Sequence, residues 1–123
     1  DNTLENSIST TSSNSISAVE SKTEIPTVTT SQKNALKRAK EYLKTMPFSY
    51  TGLIEQLEFE QYSHEDAVYA ADNCGADWNE QAAKKAQDYL DIMAFSRQGL
   101  IDQLQFEGYT YEQAVYGVNQ VGL

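Results

Sequence analysis

The sequence predicts an all-α protein: a tandem repeat of two small three-helix, helix-turn-helix-like domains after a disordered N-terminal tether. Three observations carry this. Residues 35–75, moved forward by 47 positions, fall on residues 82–122 without a gap, and 21 of the 41 aligned pairs are identical. Within each copy the apolar residues recur at three- and four-residue spacing, the period of helices with one buried face. The opening residues are instead rich in Ser, Thr and Asn, with isolated apolar residues. The expected boundaries are 1–31 for the tether, 32–76 for the first repeat and 77–123 for the second.

The tether cannot bury enough apolar surface to offset its ordering entropy, so it reads as a flexible spacer or as an incidental leader. Helix one of the first repeat is expected over residues 32–45, with Thr30 or Ser31 as its cap. Ala35, Ala39, Tyr42, Leu43 and Met46 make its apolar stripe. The second copy repeats the stripe as Ala82, Ala86, Tyr89, Leu90 and Met93, started by Asp77 and Glu80 in a near capping box.

Phe48-Ser49 and Phe95-Ser96 open the second helices, serine as N-cap and phenylalanine as a hydrophobic staple. Leu53, Ile54 and Leu57 give one apolar face, repeated by Leu100, Ile101 and Leu104. Gly52 and Gly99 each cost helix stability, by about 1 kcal/mol relative to alanine in an interior position. Their presence in both copies predicts close backbone packing against the first helix. Residues 59–62 and 106–109 read as turns, because the apolar period changes there. Ser63 with Asp66 and Thr110 with Gln113 both predict capping boxes for the third helices. Those helices carry Ala67, Val68 and Ala71, then Ala114, Val115 and Val118, and stop at Gly75 and Gly122.

Units of this size sit near the lower limit for independent folding. With Cys74 the only cysteine, no internal disulfide can staple them, and Val121 in the matching place marks it as an apolar position. Two repeats in contact share apolar surface that neither buries alone. Trp78, the only tryptophan, lies at the junction. It serves packing between the repeats, with a ligand-facing anchor as the other reading.

The formal charge is −9, about −3 in each of residues 1–31, 32–78 and 79–123. Such a surface repels phosphate backbones and anionic headgroups and attracts basic protein segments. The third helices hold Asn and Gln that could read bases, yet neither contains Lys or Arg. Charge therefore counts against nucleic acid despite the helix-turn-helix pattern. The basic residues Lys33, Lys37, Arg38, Lys40 and Lys44 read as a solvated face, with Lys37 and Glu41 paired.

No chemistry is expected. His64 becomes Tyr111 in the second copy, no serine sits in a nucleophile elbow, and there is no EF-hand spacing. The repeated acids would need a cleft to work as a glycosidase pair. No cofactor, metal or small-molecule substrate is expected, and no run is apolar enough to span a membrane. What recurs is acid beside tyrosine. Glu55, Glu58, Glu60, Glu65, Asp66, Tyr69, Asp72, Asp102, Glu107, Glu112 and Tyr116 form the candidate surface for a basic, amphipathic protein segment. The other reading has the tyrosines closing the small cores with only their hydroxyls exposed.

The pattern Ala-x-x-Tyr-Leu-x-x-Met-x-Phe-Ser-x-x-Gly-Leu-Ile-x-Gln-Leu-x-Phe-Glu-x-Tyr runs from Ala39 and again from Ala86, and Ala-Val follows each at Ala67-Val68 and Ala114-Val115. It resembles the Ltp-type host-cell surface-exposed lipoprotein repeat. The resemblance implies an N-terminal lipid anchor, a spacer and tandem three-helix domains on the outer face of a Gram-positive cytoplasmic membrane. It further implies, for prophage-encoded members, superinfection exclusion: DNA entry of related phages is blocked after adsorption, with the phage tape measure protein as the partner. The sequence opens at Asp1, so the anchoring cysteine is absent and the chain as given is expected to be soluble. A cell-surface binding or structural module unconnected with phage is the alternative.

Overall fold

The computed structural model describes residues 27–123, which form six helices. The first repeat holds α1 (Thr30–Thr45), α2 (Tyr50–Phe59) and α3 (His64–Asn73). The second holds α4 (Trp78–Ile92), α5 (Arg97–Phe106) and α6 (Tyr111–Gln120). Residues 1–26 of the expected tether lie outside the described residues.

The first helix begins earlier than its apolar stripe indicates. Thr29, not Thr30 or Ser31, is its N-cap, and Gln32 completes the capping box: each backbone N–H donates to the other's side-chain oxygen at 3.0 Å. Thr30 and Ser31 therefore belong to α1 rather than to the tether. Ser49 and Ser96 cap α2 and α5 as expected, accepting from the N–H of Gly52 at 2.9 Å and of Gly99 at 3.0 Å.

The reason for those two glycines differs from the expected one. A Cβ at Gly52 or Gly99 would meet the hydroxyl of the cap serine at 2.8 or 2.9 Å, not the first helix. Glycine here makes room for the cap. At α3 and α6 only Thr110 closes a full box with Gln113. Ser63 accepts from the Asp66 N–H at 3.1 Å, but the Asp66 carboxylate turns to the Ser31 hydroxyl on α1. Asp77 likewise caps α4 through Asn79 and Glu80 N–H groups, while the Glu80 side chain goes to Tyr116.

Both turns after α2 and α5 are Schellman closures. Tyr62 N–H donates to the Leu57 carbonyl and Gln61 N–H to that of Glu58, at 3.1 and 2.9 Å. Tyr109 and Gly108 repeat the pair with Leu104 and Gln105, at 3.1 and 3.0 Å. The left-handed residue is Gln61 in the first turn (φ 76°) and Gly108 in the second (φ 108°). At Gly108 a Cβ would lie 2.3 Å from Thr51 Oγ1 and 2.7 Å from Ser49 Oγ, so contact with the first repeat adds to the positive φ in demanding glycine.

Each repeat has its own core. Ala35, Ala39, Leu53, Leu57, Ala67 and Ala70 are wholly buried in the first. Ala82, Ala86, Leu100, Leu104, Ala114 and Val118 are wholly buried in the second. Alanines on the outer helices bring α1 against α3 and α4 against α6, and α2 or α5 lays its leucines across each pair. Tyr109 is buried with its hydroxyl donating to the Gln81 carbonyl at 3.2 Å, and burial pushes its pKa upward. Tyr62 is half-buried against the first core. These two tyrosines close cores.

The repeats touch, as expected. Ser49 Oγ donates to the Glu107 carbonyl at 2.7 Å while accepting its cap bond, and Thr51 Oγ1 donates to the Gly108 carbonyl at 3.3 Å. Phe48 N–H donates to Gln81 Oε1 at 3.0 Å. Trp78 meets Tyr50 edge to face at 5.6 Å, so it serves packing between repeats. Cys74 is half-buried, its thiol directed at the Ala71 carbonyl.

Candidate partner-binding surface

The structure separates the candidate acids into two groups. Glu60 is held from three sides. Arg38 donates to it through Nε at 2.9 Å and through Nη2 at 3.0 Å, and the Tyr42 hydroxyl donates to it as well. Gln56 Nε2 donates to that hydroxyl at 3.1 Å, and the guanidinium lies 4.3 Å from the Tyr42 ring centre. The second repeat rebuilds the arrangement with the Tyr89 hydroxyl donating to Glu107 and Gln103 donating to Tyr89 at 3.0 Å. Lys85 stands where Arg38 stood. Burial and the Glu107 carboxylate both push the Tyr89 phenol upward.

The sequence places Arg38 on a solvated basic face, with Lys37 beside Glu41. Instead Arg38 is the residue that reaches Glu41, at 3.4 Å, and it also binds Glu60 across to the end of α2.

Hydrogen bonds from Arg38 and then Tyr42 hold the Glu60 carboxyl at about 2, below its ordinary 4.5. A carboxyl depressed in the folded state adds stability that is complete above 4.5 and is lost as pH falls towards 2. Glu60→Gln is therefore expected to flatten the acid limb of melting temperature against pH across that window. Parallel limbs for both proteins would contradict the network.

Other candidates are also engaged within the fold. Tyr50 donates to Asp72 at 2.7 Å, which raises the phenol's pKa, and Arg97 donates to Asn119 at the matching place at 2.8 Å. Glu58 pairs with the exposed His64, Asp66 with Ser31, and Asp102 accepts from Gln98 at 2.8 Å. Tyr116 donates to Glu80 at 2.7 Å, and its phenol is raised by that bond. Tyr69 is half-buried, its carbonyl accepting from Asn73 at 2.8 Å. Glu55, Glu65 and Glu112 stand exposed, the last two in the first turns of α3 and α6 where an acid suits the helix dipole.

One feature absent from the candidate set lies where the repeats meet. A groove of about 390 Å3 has Met46, Glu55, Gln56, Phe59, Lys85, Phe106 and Glu107 in its lining. Phe59 and Phe106 end α2 and α5 at matched positions and remain 78% and 85% exposed. Their identity in both copies was visible in the sequence; their exposure was not, because both follow helical apolar faces. Among the described residues no group of three or more His, Cys, Asp and Glu could hold a metal, and no helix is long and apolar enough to cross a membrane.

Duplicated three-helix units joined by a bonded junction, with exposed acid and aromatic side chains, define an all-α tandem repeat module. The profile of the host cell surface-exposed lipoprotein family matches residues 30–74 and 77–121, and the chain belongs to that family. Its structure is similar to that of Ltp, a superinfection exclusion protein from the Streptococcus thermophilus temperate phage TP-J34. The two share 35% sequence identity with a TM-score of 0.70, over 81% of this chain and 99% of that one. No curated protein matches.

Proposed function

We propose that this chain excludes superinfecting phages from the outer face of a Gram-positive cytoplasmic membrane, blocking DNA entry of related phages after adsorption. It does so by binding, without catalysis, a basic segment of the phage tape measure protein through its acidic face. An N-terminal lipid holds the module at the membrane, and the Ser/Thr/Asn-rich segment sets its reach. The carrying observation is the likeness, across both repeats, to a solved superinfection exclusion protein. The net charge of −9 supports a basic partner, and two copies of the acidic face raise effective concentration at that partner.

Binding of the purified chain to purified tape measure protein, followed by calorimetry across a salt series, tests the contact. Affinity is expected to fall severalfold as salt screens the exposed charges. Glu65→Gln with Glu112→Gln should weaken it further, at a folding cost of only about 0.3–1 kcal/mol for each lost helix-terminal acid. Affinity indifferent to both salt and these substitutions would remove the acidic face from the account.

A further inference from the structure

We propose that the groove between the repeats receives the apolar face of a basic amphipathic helix from another protein. This deepens the reading above by naming an apolar anchor beside the charged face.

Phe59 and Phe106 are left out of both hydrophobic cores. At 78% and 85% exposure they contribute almost nothing to either core. Burying a phenylalanine stabilises a fold, so two left in water are stabilisation forgone within this chain. The duplicated fold nevertheless brings both to one groove, and Met46, 47% exposed, adds a third apolar side chain to its lining. Neither repeat forms the groove alone. Its lining comes from the end of α1, from α2, from α4 and from the end of α5. The Ser49 and Thr51 bonds to the Glu107 and Gly108 carbonyls hold those parts in place.

Charge selects the occupant. Glu55 and Glu107 line the groove against one base, Lys85, on a chain of net charge −9. That field disfavours an anionic lipid surface and a second copy of this acidic chain. It favours a helix with lysine or arginine flanking an apolar stripe, seated as helices seat in grooves through anchors at i, i+3 or i+4 and i+7.

The test is an NMR titration of the chain with a synthetic Leu/Lys amphipathic helical peptide. A peptide of identical composition, scrambled so that no apolar face forms, is the control. The amphipathic peptide is expected to shift signals of Met46, Glu55, Phe59 and Phe106 and to bind more tightly than the control. Phe59→Ser with Phe106→Ser should weaken it at least about tenfold, while melting stays unchanged because both side chains are exposed. Equal binding of both peptides, or unchanged affinity in the double variant, overturns the proposal. So does attachment of phosphatidylglycerol vesicles through the same residues, or self-association through the groove in sedimentation. Groove binding of the peptide without any affinity for tape measure protein would keep the anchor and discard that partner. Tape measure binding indifferent to the two phenylalanine substitutions would do the reverse.

Discussion

Gly117→Leu is expected to lower the melting temperature by more than about 10 °C, because overpacking here costs about 3 kcal/mol in a domain of this size. The position lies on α6 against α4. A Cβ there would sit 2.8 Å from both the carbonyl carbon and the oxygen of Ala82 and 3.0 Å from the Ala83 nitrogen. All three are backbone atoms in a helix, so no rotamer change relieves the contact. The first repeat has Ala70 at the matching position, wholly buried, so the second repeat closes its helix pair around glycine where the first uses alanine. Stability of about 0.05–0.15 kcal/mol per residue leaves a unit this small only a few kcal/mol in total. Unfolding of the second repeat should also remove the groove, since α4 supplies Lys85 to it and α5 supplies Phe106. Circular dichroism melting checks this. A variant that melts with the parent would mean that α4 and α6 are not in the contact described.

The helices and their order were legible because a gapless repeat shows each periodicity twice, and because Ser49, Ser96 and Thr110 announce helix starts by residue type. The turns were legible too, although Gln61 shows that the left-handed position need not be glycine. What escaped was the pairing of polar side chains distant in sequence. Arg38 looks like one of five solvated bases until α2 brings Glu60 to it. Glu60 and Glu107 look like surface acids, yet each receives a tyrosine hydroxyl from eighteen residues earlier. A signal existed: Tyr42, Gln56 and Glu60 all recur unchanged as Tyr89, Gln103 and Glu107, whereas Arg38 does not. Invariance of three polar residues across a repeat marks an internal hydrogen-bond set as readily as a binding face. Gly108 and Gly117 tell the complementary story. Each replaces a larger residue of the first repeat, and each does so where a neighbouring segment comes within contact distance.

Exclusion by this chain would stop infection at the passage of the genome, after adsorption. If the acidic module meets a phage protein at the membrane, receptor binding is untouched and genome passage fails. Cells displaying the membrane-anchored chain are therefore expected to adsorb related phages at the normal rate and to admit almost no phage DNA. Gly117→Leu, displayed at the same level, should restore entry if the folded second repeat is needed. The direct measurement scores adsorption and DNA entry separately in the same infected culture, with surface display confirmed. Normal adsorption with lost entry is the predicted result. Unchanged DNA entry in displaying cells, across related phages, would contradict exclusion by this chain.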